Sequence, residues 1–181
     1  SLRNSERVKL GGGEPEPNAP KAMLGAGTGL GQCFLTADSR GVYTAWPSEG
    51  GHTEWSPRNE LMLDLLGYLR QLFSRSSAQE LLAGSRPMRV SVERVVSGLG
   101  LSNLYAFLRE HWAYIEHVRP EFDAEYLALP RQKHGFLITR GAGEGDILCR
   151  KAIQIFSECF GSEAGVVALK FLPYGGLYLS G

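Results

Sequence analysis

The amino-acid sequence predicts a three-layer α/β domain, and three observations carry that expectation. Short apolar strand candidates alternate along the chain with stretches of helical period. At 181 residues the chain is long enough for one domain with a real core. Its composition, 43% hydrophobic and 21% charged, is that of a globular chain.

Each element follows from local signals. Residues 1–21 are polar, carry Gly11-Gly-Gly13 and alternate Glu with Pro, so they read as a surface arm or loop. Ala22-Met-Leu24 is a short strand that runs into Gly25-Ala-Gly-Thr-Gly-Leu-Gly31. Cys33-Phe-Leu-Thr36 and Val42-Tyr-Thr-Ala-Trp46 flank a turn over residues 37–41 and predict a hairpin. A loop over residues 47–55 follows. Ser56-Pro57 then supplies the cap and first position of a helix, along which Met62, Leu65, Leu66, Leu69, Leu72 and Phe73 recur at helical spacing.

Residues 74–87 read as a linker. Residues 89–97 hold a turn or short helix with Glu93, Gly98-Leu-Gly100 breaks it, and residues 101–111 resume as a helix. Residues 116–135 read as a surface excursion. Gly143-Glu-Gly-Asp146 opens another helix, with acids in the first turn where the helix dipole favours them. Leu148, Ala152, Ile155, Phe156 and Cys159 line one of its faces. Residues 162–171 predict a further helix of small residues, and Pro173-Tyr-Gly-Gly176 turns into a final strand. A strand that ends at the last residue, Gly181, reads as the edge of a fragment.

Charge and cysteine content narrow the function classes. Nineteen basic and nineteen acidic residues give a formal net charge of zero, so neither nucleic acid nor an anionic membrane is expected as a partner. No apolar run approaches a membrane span and the start has no signal-peptide core, which predicts a cytoplasmic protein. Cys33, Cys149 and Cys159 form no CxxC pair and read as buried thiols in a reducing compartment.

The loop of residues 25–31 is the most informative stretch. Alternate glycines clear side chains away and let backbone N–H groups approach an anion, and Thr28 adds a hydroxyl. The loop lacks the Gly-Lys-Ser/Thr of a Walker loop, and Leu30 stands where a dinucleotide fingerprint needs glycine. A tight turn without a ligand fits the same residues.

Glu49 and His52 flank Gly50-Gly51, a loop able to aim a carboxylate and an imidazole at one small ligand rich in hydroxyls. An exposed turn is the plainer alternative. A zinc site finds little support, because His52, His111, His117 and His134 show no ligand spacing. Glu93, taken alone, fits a salt bridge to Arg94 or a solvated helix face.

Residues 25–31, 49–52, 91–100 with Asn103-Leu-Tyr105, and 175–181 occur in the order seen in bacterial-type glucokinases, and from about Ala22 onward the chain resembles that family. The resemblance implies an actin-like, ribonuclease-H-like domain with a mixed sheet and flanking helices. It implies that residues 22–181 are a fragment of the large domain, with the N-terminal domain and the C-terminal helices elsewhere. Gly25, Gly27, Thr28, Gly29 and Gly31 then look like the second ATP-phosphate loop. Glu49, His52 and Glu93 look like glucose-hydroxyl ligands, and Gly175, Gly176 and Gly181 resemble the start of the adenosine motif. Residues 146–171 resemble the helix pair before it.

Two departures qualify the match. The family usually has Ser-Gly-Pro-Gly where this chain has Ser97-Gly-Leu-Gly100, although the glycines remain. The other departure is larger: the family's first phosphate loop and its Asn-Asp motif with the catalytic aspartate are not in the chain, so no catalytic residue is assigned and both are expected upstream of Ser1. The related repressor-and-kinase family, which carries a cysteine-rich zinc motif near its sugar site, is excluded because this chain has no cysteine cluster. The implied parent is an ATP-dependent glucokinase that uses Mg²⁺ and makes ADP and glucose 6-phosphate, with the fragment itself inactive. The resemblance leaves a homodimer open. A non-catalytic sugar sensor on the same fold is the alternative.

Overall fold

The computed structural model describes residues 8–11, 13–74 and 89–181. Most of the predicted linker, and residues 1–7 and Gly12 of the predicted arm, lie outside the described residues.

Among the described residues one sheet of four strands meets five α-helices. β1 (Lys21–Ala26) pairs antiparallel with β2 (Leu30–Ala37), and β2 pairs antiparallel with β3 (Tyr43–Ser48). β4 (Leu177–Ser180) joins the other side of β1 in parallel, so the order is β3-β2-β1-β4 and the sheet is mixed. The two predicted hairpin strands pair in register, with Phe34 opposite Trp46 and Thr36 opposite Thr44. The turn between them is held by Asp38, whose carboxylate accepts from the backbone N–H groups of Arg40 and Val42.

Alternation along β1 buries Ala22 and Leu24 on one face and leaves Met23 partly open on the other. The buried face packs on a helix of 25 residues, α5 (Ile147–Phe171), where Phe171 stacks on Phe34 with centroids 4.9 Å apart. Of the three expected layers, the described residues supply the sheet and the helical layer on this face. Cys33 lies beside Met23 on the open face and is half-exposed, unlike the buried Cys149 and Cys159. Burial pushes the Cys159 thiol up to about 11 and raises that of Cys149 further.

Several helix boundaries differ from expectation. α1 (Glu60–Ser74) starts three residues beyond Pro57, because Asn59 caps it by accepting from the Met62 N–H. Its predicted stripe is real: Met62, Leu65 and Leu69 are buried, each worth ~1.5–3 kcal/mol when fully removed from water. Glycines 98 and 100 do not break a helix. They form the first turn of α2 (Gly98–Glu110), capped by Ser97 accepting from the Gly100 N–H at 2.9 Å. A Cβ on Gly100 would lie 2.3 Å from the Val95 carbonyl oxygen, so the close approach of that chain requires glycine there.

Residues 116–135 are not a surface excursion. They contain a short 3₁₀ turn (Ile115–His117), α3 (Pro120–Ala128) and the start of α4 (Arg131–Gly143). Phe122 and Tyr126 of α3 bury their rings against Tyr105 of α2, at 5.5 and 4.6 Å between centroids. Arg109 adds a bidentate pair to Asp123 at 2.7 and 2.6 Å. Gly143 ends α4 rather than opening a helix, and Asp146 caps α5 by accepting from the Cys149 N–H. The predicted helix pair over residues 146–171 is one continuous helix, uninterrupted at Ser162. By length and composition alone α5 could cross a membrane. Here its buried face, Leu148, Ala152, Ile155, Cys159 and Val167, completes the core of the domain.

Candidate functional site

The loop of residues 25–31 is the tip of the β1–β2 hairpin. Gly25 and Gly31 face each other across the ladder, and the turn closes with the Gly27 N–H donating to the Gly29 carbonyl at 2.9 Å. Two further bonds anchor the tip. The Gly27 carbonyl accepts from the N–H of Gly98, at the start of α2, at 2.8 Å. On the other side Glu93 Oε2 accepts from the Leu30 N–H at 3.0 Å. A Cβ on Gly29 would sit 2.6 Å from that same carboxylate oxygen, so glycine at 29 makes room for Glu93.

Glu93 stands in a 3₁₀ turn (Val92–Arg94) fixed from three directions. The Ser97 hydroxyl donates to the Glu93 carbonyl at 2.7 Å. The Asn103 side-chain amide donates to the Arg94 carbonyl at 2.8 Å. The Val92 N–H donates to the Thr53 carbonyl, and Trp55 N–H to the Val90 carbonyl, which lays this segment beside residues 53–55. Arg94 does not pair with Glu93. Its guanidinium lies over the Phe73 ring, 4.2 Å from the centroid.

These contacts bring the three predicted sugar residues together. Gly50–His52 forms a 3₁₀ turn directly after β3. His52 Nδ1 lies 4.0 Å from Glu93 Oε1, and its Nε2 lies 3.5 Å from Glu49 Oε2. The side chains grade from the floor outward: Glu93 is 29% exposed, His52 55% and Glu49 91%. Two carboxylates and an imidazole thus converge at the surface, an acceptor-rich set suited to a ligand with several hydroxyls. The turn is seated on β2, since a Cβ on Gly51 would lie 2.1 Å from the Leu30 carbonyl oxygen.

The opposite flank of the hairpin tip opens on a cleft of about 820 Å³. Gly27 and Thr28 line it beside Gly98 and Leu99 of α2, Gly135 and Phe136 of α4, and Phe156 and Ser157 of α5. Gly181 lines its far wall after β4. Gly175 and Gly176 do not reach the cleft. They lie at the other end of β4, where the Gly175 N–H donates to the Pro20 carbonyl and Gly176 adopts φ +122°.

Sequence reading alone missed the α2 and α4 walls. The signal was present: Ser97 followed by Gly100 is a cap, and Gly135 lets α4 approach Gly98, to which a Cβ would come within 3.5 Å. Among the described residues no group of three or more His, Cys, Asp or Glu could hold a metal ion.

The family model for Glucokinase matches residues 1–88 and 85–181. A glucokinase of Nostoc sp. is 41% identical over 189 residues, covering 99% of this chain and 51% of that protein. Among solved structures, a glucokinase from an Antarctic psychrotroph superposes with a TM-score of 0.71 at 25% identity, over 99% of this chain and 48% of that one. The glucokinase of Balamuthia mandrillaris, solved in complex with glucose, gives 0.66 at 23% identity, over 98% of this chain and 42% of that one. The class is therefore that of actin-like ATPase folds. Within that class, the chain belongs to the glucokinase family. It spans about half the length of the curated relatives it matches.

Proposed function

We propose that this chain is the sugar-binding and phosphate-binding part of an ATP-dependent glucose kinase, within the large domain of a longer polypeptide. The carrying observation is Glu93, which binds the hairpin-tip amide of Leu30 through one oxygen and faces His52 with the other. One carboxylate thereby fixes the distance between the sugar ligands and the phosphate loop. Phosphoryl transfer depends mainly on such positioning and on stabilisation of charge.

In this reading Glu49, His52 and Glu93 hold the sugar hydroxyls, with the 6-hydroxyl directed to the hairpin tip. The glycine backbone of residues 25–31 and the Thr28 hydroxyl receive the ATP phosphates on the cleft side. Gly181, with the apolar walls of α4 and α5, takes the adenosine. The γ-phosphoryl group passes from ATP to the sugar 6-oxygen: its bond to the β-phosphate oxygen breaks as the bond to the sugar forms, giving ADP and glucose 6-phosphate. The aspartate that removes the hydroxyl proton comes from a part of the polypeptide beyond these 181 residues. Mg²⁺ would be held by the ATP phosphates and by groups outside the described residues, and would offset the phosphate charge.

A coupled assay of ADP release tests the proposal. The full-length polypeptide should phosphorylate glucose with ATP, and the isolated 181-residue chain should not. Turnover by the isolated chain overturns the division of labour. Calorimetric glucose binding by the full-length polypeptide without any turnover supports a sugar sensor instead.

A further inference from the structure

Glu163 is a carboxylate on α5 that is only 6% exposed, deep under the sheet. Burying such a group is costly unless it is partnered. Its partner is neutral: the side-chain amide of Gln32, on β2, donates to Glu163 Oε1 at 2.7 Å. A carboxylate can only accept, so the amide NH₂ must face α5 and the amide oxygen must face away from it. That oxygen points at Gly50. A Cβ on Gly50 would lie 2.0 Å from Gln32 Oε1 and 2.6 Å from its carbonyl carbon.

The turn of residues 49–52 therefore rests on β2 at two points. Gly51 sits on the Leu30 backbone carbonyl, which cannot turn aside. Gly50 sits on a side chain whose orientation is set from below by Glu163. We propose that Glu163 and Gln32 are positioning residues that hold Glu49 and His52 in place for the sugar, with Glu163 acting only through Gln32. This rests on the sugar-binding role proposed above for residues 49–52. Without Glu163 the Gln32 amide is free to rotate and the turn loses one of its two supports. The same helix lines the nucleotide cleft through Phe156 and Ser157, yet Glu163 is not among the cleft residues, so its effect falls on the sugar alone.

The test uses the full-length polypeptide and measures glucose KM, ATP KM, kcat and thermal stability for Glu163→Leu, Glu163→Gln and Glu93→Gln. Glu163→Leu should raise glucose KM roughly tenfold and leave ATP KM within about twofold, while Glu163→Gln, which still offers an acceptor, should restore glucose KM. A double-mutant cycle gives a second reading that needs no Glu163 variant. Gly50→Ala should cost far more glucose affinity with Gln32 present than in a Gln32→Ala background, because the clashing atoms all belong to Gln32. Suppose Glu93→Gln raises glucose KM, while Glu163→Leu alters stability alone and the cycle is additive. The positioning role is then wrong and the sugar site stands. If Glu93→Gln also leaves glucose KM unchanged, the sugar site itself is misassigned and the positioning role falls with it.

Discussion

The two flanks of the hairpin tip are built by different means. The flank toward Glu93 is polar, shallow and made of turns: residues 49–52, residues 92–94 and the strand end at Leu30. The flank toward the cleft is mostly apolar and made of helices, with Leu99, Phe136, Ile153, Phe156 and Phe160 around Gly27 and Thr28. A ligand rich in hydroxyls needs many directional bonds, and turns bring backbone and short side chains to one point. A flat heterocycle needs apolar walls, and helices supply them. The glycine hairpin borders both flanks, and in the proposed function it is where the sugar and the nucleotide phosphates meet.

That contrast makes predictions for the full-length polypeptide. The largest effect should come from Gly51→Ala on the turn side. Its Cβ would meet the Leu30 backbone at 2.1 Å, and no side chain can move to relieve it. A loss of about 2–3 kcal/mol in stability and a rise in glucose KM of more than about tenfold are expected, by thermal melting and a coupled assay. Ser97→Ala comes next, because Ser97 serves both flanks as the cap of α2 and as donor to the Glu93 carbonyl. It should cost about 1 kcal/mol and shift both KM values modestly. Phe136→Ala should be mildest. Phe136 is 78% exposed on the cleft wall, so its loss should raise ATP KM about fivefold, ~1 kcal/mol, and spare glucose KM. Equal changes in both KM values for Phe136→Ala would erase the distinction between the flanks.

Much of this was legible in the sequence where local chemistry decides it. The strands around residues 22–46 follow from alternation and turn residues, and the structure forms them. From its glycines the stretch of residues 49–52 reads only as a turn, which the structure contains, and a sugar role for it is implied by the resemblance alone. Boundaries were less legible. Ser56-Pro57 looks like a helix start, but Asn59 competes for the same role and wins. The separate helix expected over residues 162–171 merges into α5: Gly161 and Gly165 face open space, and the core contacts of α5 outweigh ~1 kcal/mol for each helical glycine. The region of residues 116–135 hides its burial because few of its side chains point inward, Phe122, Tyr126 and His134 among them. Gln32 and Glu163 are 131 residues apart, and no local pattern announces such a pair. Gly175 and Gly176 share a sequence cluster with Gly181, but the length of β4 carries them away from the cleft.

The central claim is that Glu93 joins sugar recognition to the phosphate loop. Glucose KM, ATP KM and melting temperature of Glu93→Gln test it most directly, since glutamine can still accept from the Leu30 N–H while the charge facing His52 is lost. The account predicts a glucose KM raised by about tenfold or more with ATP KM and melting temperature nearly unchanged. A glucose KM equal to that of the unaltered protein would contradict it.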